Sequence, residues 1–176
     1  MVTRPDPEEL RLLARLLGSP DEEAGALIRT WAGDAPWLWD AATQLAEVPL
    51  GDWQAEHTSL FITGYPHTVC PPFESAYRHG MMNGPAVEEL AEFYTDLGLA
   101  PEDDAAVDYL GTLLDCAALL IEHDSPNLAE LWDHHLALWV PRFAADLAAG
   151  TTLALYRAVA ARLAAMFPPA PARNDA

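Results

Sequence analysis

Three groups of residues in this 176-residue chain have side chains that could do chemistry. Glu56-His57 upstream of Cys70 can be drawn as acid, base and nucleophile, and His134-His135 with Glu122-His123 can be drawn as a metal set. Neither has the spacing such chemistry needs. Adjacent histidines leave a helix on different faces, and no Glu-x-x-His pair recurs as it does in a di-iron bundle. Cys70 precedes Pro71-Pro72, with no cation or helix start to lower its pKa. Cys70 and Cys116 also lack any Cys-x-x-Cys spacing, so they read as reduced thiols. The sequence therefore calls for no catalytic residue, metal or cofactor. A helical metal-binding protein or a generic protein-binding adaptor remains the alternative to the reading developed below.

The third group is Cys70-Pro71-Pro72-Phe73-Glu74-Ser75-Ala76-Tyr77. Two prolines hold the backbone extended, two aromatics flank a carboxylate, and Glu74 stands where it can cap or begin a short helix. These residues suit either a structural corner or a binding edge. Upstream, Trp53, His57, Leu60 and Phe61 fall at i, i+4, i+7 and i+8, an apolar stripe with one titratable member. That stripe is either a core-facing surface or a ligand-binding face.

The elements that must position these groups all read as helices. Asp6-Pro7-Glu8-Glu9 places a cap, a first-turn proline and two acids before Leu10, Leu13, Leu16 and Leu17, and Gly18 closes the segment. Ser19-Pro20-Asp21-Glu22 repeats the start signal, with Gly33 as the stop. A third segment opens at Asp34-Ala35-Pro36 and runs towards Pro49, and a fourth covers about 50 to 62. From 63 to 73 Gly64, Pro66, Pro71 and Pro72 break the periodicity and predict an ordered loop. Helical spacing resumes over 85–97 and stops at Gly98. It restarts at Pro101 for a long apolar helix to about Asp124. Ser125-Pro126-Asn127 begins another helix, expected to kink at Pro141 and continue to Gly150, and 151–167 closes the fold. No strand alternation or fixed-period repeat is present. The expected architecture is all-α, a single-domain bundle of about eight to ten helices over 1–167 with a proline-rich loop. Residues 168–176 form a tail too polar and proline-rich to pack.

Composition limits the partners. With 51% hydrophobic residues the chain can bury a sizeable core. Its 27 acids against 9 cations, all of them arginine, give a formal charge of −18. Nucleic acid and anionic membranes are repelled, and basic partners are favoured. The opening residues lack the charge pattern of a secretory signal, and the longest apolar run, Cys116–Ile121, is too short to span a membrane. A cytoplasmic protein without stable membrane insertion is expected.

Taken together, Glu56, Leu60-Phe61, Gly64 and the Cys70–Ser75 run resemble the TorD/DmsD family of cytoplasmic chaperones that mature molybdenum-containing redox enzymes. Phe93-Tyr94 with Gly98-Leu99, and His135-Leu136-Ala137-Leu138-Trp139-Val140-Pro141-Arg142-Phe143, are similar to further segments of that family. The resemblance spans roughly Trp53 to Leu147. One departure is the family's Pro-Asp-His motif, where this chain has Pro101-Glu102-Asp103-Asp104, so only acidic character carries over to Asp103 and Asp104. The resemblance implies a chaperone that binds the twin-arginine leader and apo form of a molybdoenzyme's catalytic subunit, assists cofactor insertion and delays export. A leader pairs arginines with an apolar segment, so its receptor needs carboxylates beside a hydrophobic groove. The implied peptide-binding set is Trp53, Glu56, His57, Leu60, Phe61, Pro71, Pro72, Phe73, Glu74, Ser75, Tyr77, Asp103, Asp104, His135 and Trp139, with Asp108 a further acid. A monomer or a helix-swapped dimer hinged at Met81–Pro85 is expected.

Overall fold

The computed structural model describes residues 5–64, 67–100 and 106–168. Asp6 caps α1 (Pro7–Leu16) through a hydrogen bond accepted from Glu8 N at 3.0 Å, as its sequence predicts. Asp21 Oδ1 likewise accepts from Glu23 N and Ala24 N, the latter at the start of α2 (Ala24–Trp31). A short 3-10 turn, Pro36–Leu38, leads into α3 (Trp39–Leu45), and Pro49 precedes α4 (Leu50–Phe61). After the loop, α5 (Glu74–His79) ends on Gly80 with φ of +69°, a left-handed conformation that glycine adopts without strain. Then come α6 (Pro85–Asp96), α7 (Leu110–Glu122), α8 (Leu128–Glu130), α9 (Val140–Gly150) and α10 (Ala154–Met166). The chain is all-α among the described residues. The only strand-like pairing there is a single bridge between Phe73 and Tyr109.

The core forms around α7, in which Leu110, Leu113, Leu114, Ala117, Ala118 and Leu120 are all buried. A helix apolar on nearly every side must be surrounded. Helix α1, with Leu10 and Leu13 fully buried, packs on α7, and α10 packs on α9 and α3. Each such leucine, fully buried, contributes about 1.5 to 3 kcal/mol of transfer free energy. No helix among the described residues is long and apolar enough to cross a membrane.

Two helix boundaries differ from expectation. The helix predicted from Pro101 begins instead at Leu110, because the preceding residues pair with the proline-rich loop. Leu110 N donates to Pro72 O at 2.9 Å and Glu74 N donates to Asp108 O at 3.0 Å. Asp108 is itself buried, and its carboxylate accepts from Ser75 N at 3.1 Å in the first turn of α5. Downstream, the single kinked helix expected from Ser125 to Gly150 is two. α8 runs on into a π-helical stretch, Leu131–Leu136, marked by an i→i−5 hydrogen bond from Ala137 N to Trp132 O at 2.8 Å. Pro141 then lies in the first turn of a new helix, where its missing donor costs nothing. Of the tail predicted over 168–176, all but Pro168 lies outside the described residues.

Candidate functional site

The proline-rich loop delivers Glu74 to the interior. Its side chain is fully buried, yet it is a carboxylate, so its oxygens must be satisfied by protein donors. Arg78, one helical turn on, donates from Nη1 to Glu74 Oε1 at 2.5 Å and to Glu89 Oε2 on α6 at 2.9 Å. His135 Nδ1, on the π-helical stretch, lies 3.1 and 3.2 Å from the two Glu74 oxygens. Donor atoms of Glu74, Glu89 and His135 all fall within 4.8 Å of one another, close enough to hold a cation together. Two of the three, Glu74 and Glu89, hold the Arg78 guanidinium. Burial opposes the charge of Arg78, but the hydrogen bonds to Glu74 and Glu89 outweigh it and raise its pKa.

Bordering this network, and sharing Arg78, Glu89 and His135 with it, lies a groove of about 580 Å³ between α6 and the segment 127–138. Its lining includes Glu89, Glu92 and Asp96 from α6, at i, i+3 and i+7, with Glu130 and His134 opposite and Leu138, 56% exposed, at the rim. Glu89, Glu92, Asp96, Glu130 and Arg78 went unnoticed in the sequence. The acidic spacing along α6 was its one visible signal.

Much of the rest of the expected peptide-binding set is built into the framework. Glu56 accepts hydrogen bonds from Thr151 Oγ1 and Thr152 Oγ1, each at 2.5 Å, and from Thr152 N and Leu153 N at 2.7 and 3.2 Å. It thereby caps the start of α10 from another helix. Burial works to raise its pKa, but these donors prevail and hold it below the usual carboxylate value. His57 is buried, with Nε2 donating to Leu17 O at 3.1 Å, and burial lowers its pKa. Trp53, Leu60 and Phe61 are core residues. Trp53 Nε1 donates to Tyr156 OH at 3.0 Å, and Phe61 stacks on Phe143 and meets Tyr156 edge-on.

Tyr77, also buried, packs on Trp139 and donates its hydroxyl to Asp146 at 2.9 Å, with Arg142 over its ring. Ser75, Pro72 and Trp139 are likewise buried, whereas Pro71 and Phe73 are half-buried, Phe73 against Tyr109. Asp103 and Asp104 lie outside the described residues. The structure thus brings Glu74 and His135 together, gathers Trp53, His57, Phe61 and Tyr156 into one aromatic cluster, and leaves most of these side chains without free surface. Cys70 is fully buried and its thiol is pushed up to about 12 by burial and then by Asp146. That environment makes a poor nucleophile.

Comparison with known proteins follows the same outline. A family model described as nitrate reductase delta subunit matches residues 13–145. Among solved structures, a protein assigned as a redox enzyme maturation protein, from Archaeoglobus fulgidus, aligns with a TM-score of 0.68. The two share 24% identity, over 93% of this chain and 94% of that one, a likeness of fold. No curated protein matches the sequence.

Proposed function

We propose that this chain, which belongs to the nitrate reductase delta subunit family, is a redox enzyme maturation chaperone rather than a catalyst. Its client is the catalytic subunit of a molybdenum-containing oxidoreductase. It binds the twin-arginine leader of that subunit and holds the apoprotein until cofactor is inserted, delaying export. The observation that carries the reading is the guanidinium of Arg78 seated between Glu74 and Glu89, at the edge of a groove lined by further carboxylates. Carboxylates held this way suit arginine recognition. Cys70, the thiol of the proline-rich loop, is fully buried and pushed up to about 12, which disfavours a nucleophilic role.

In this reading Trp53, Glu56, His57, Leu60, Phe61, Pro72, Ser75, Tyr77 and Trp139 are the frame that fixes the receptor surface, and a leader reaching them does so only by opening the bundle. Glu74 and His135 anchor the acidic network, and Pro71 and Phe73 keep partial exposure on the loop. The net charge of −18 favours a cationic partner at long range. The protein acts in the cytoplasm, where an apoenzyme awaiting cofactor is held. Co-purification with candidate catalytic subunits tests this. The leader-bearing subunit is expected to be retained, and equal retention of a leaderless subunit would remove the leader from the account.

A further inference from the structure

The acidic groove has an apolar counterpart on the other side of the same helical segment. Leu128, Ala129 and Trp132 line a furrow of about 930 Å³, closed by Ala165 and Met166 of α10, with Asp6, Asp133 and the Glu9–Arg162 ion pair also in its lining. Asn127, Glu130, His134 and Leu138 of the same segment line the acidic groove. The π-helical stretch helps set this division, turning His135 inward to Glu74 while Trp132 stays half-buried at the furrow, stacked on Phe167 with ring centroids 4.3 Å apart. A half-buried tryptophan beside a methionine is an adaptable apolar receptor.

We infer that the segment Asn127–Leu138 is a saddle over which one cationic and apolar peptide is laid, its arginines in the groove with Glu92, Asp96 and Glu130 and its apolar side chains in the furrow on Trp132 and Met166. The inference rests on the leader-binding reading above and adds the place and the register. Charge complementarity selects the occupant. The groove lining carries four carboxylates, Glu89, Glu92, Asp96 and Glu130, against the single guanidinium of Arg78, whereas the furrow sets Leu128, Trp132 and Met166 beside Asp6, Asp133 and a Glu9 already paired with Arg162. A helix with its side chains is about 10 Å across. An extended peptide rises about 3.3 Å per residue, so roughly three residues separate the arginines from the first apolar anchor. A peptide with those features contiguous would fill one site and leave the other empty.

The test is a titration of the full chain with a labelled synthetic peptide in which two adjacent arginines stand three residues ahead of an apolar run. Circular dichroism confirms that each variant is folded. Glu92→Gln with Asp96→Asn, both exposed on α6, is expected to weaken binding about tenfold. Ala129→Gln with Ala165→Gln, which intrude on the furrow from exposed positions, is expected to weaken it about as much. A control that removes the same charge elsewhere, Asp40→Asn with Glu47→Gln, is expected to change affinity by no more than about twofold. Groove and furrow variants that match the control, with wild-type binding intact, overturn the saddle while leaving leader recognition in place. If the wild type fails to bind the peptide yet retains a leaderless catalytic subunit, both the saddle and the leader-binding reading fall.

Discussion

His135 Nδ1 lies 3.1 Å from Glu74 Oε1, across 61 residues of sequence, and the two side chains are 7% and 0% exposed. This contact ties the proline-rich loop to the π-helical stretch, and Arg78 extends it to Glu89 on α6. The groove is thus held from behind by a buried polar network, a rigid arrangement when every member is satisfied.

Removing one partner of that network leaves a buried charge. Arg78→Ala is expected to cost about 3 kcal/mol in urea unfolding, because the Glu74 carboxylate loses its principal cation. Adding Glu74→Gln in the same chain should recover part of the loss, a coupling of about 1 kcal/mol or more. Strict additivity of the two substitutions would contradict the network.

Glu56 contributes to acid sensitivity. Folding holds its pKa below the ordinary glutamate value of about 4.5, so the unfolded chain binds the proton more tightly. Its contribution is complete above about pH 4.5 and drains away as pH falls through the folded-state value. Glu56→Ala should cost about 1 to 2 kcal/mol near neutrality, as loss of a helix cap does, and should flatten the acid limb of the stability curve. An acid limb unchanged in the variant would show that the carboxylate is not the cap described.

Phe61 is 3% exposed and packs among His57, Phe143 and Tyr156. Phe61→Ala should lose about 3 to 5 kcal/mol, so any loss of client maturation in that variant would accompany loss of folded protein. Wild-type stability with failed maturation would instead place Phe61 in direct contact with the client.

Thiol chemistry checks the cysteines. Burial pushes Cys70 up to about 12 and Cys116 up to about 11, so neither should be alkylated in the folded protein at pH 8, and both should react in denaturant. Rapid labelling of native Cys70 would mean that the loop opens.

Much of the fold was legible because its signals are local. Asp6, Asp21 and Gly98 each act within a few residues of their own position, and helix boundaries near them follow expectation. The boundaries at 101–110 and 131–141 escaped because they depend on partners far along the chain, Pro72 and Glu74 for the first and Glu74 again for His135. The stripe of Trp53, His57, Leu60 and Phe61 shows why periodicity could not locate a site. Spacing reveals a common face, while burial of that face against Tyr156 and Phe143 is decided by other helices. The spacing of Glu89, Glu92 and Asp96 was equally visible, but a groove needs an opposite wall, and Glu130 arrives from another element.

The central claim is tested most directly by titrating the purified chain with the leader peptide of a candidate catalytic subunit, intact and with both arginines replaced by glutamine, at low and high salt. The account predicts binding by the intact leader, weakening by about tenfold or more on loss of the arginines, and affinity that falls as salt rises. Equal affinity for both peptides, unaffected by salt, would contradict it.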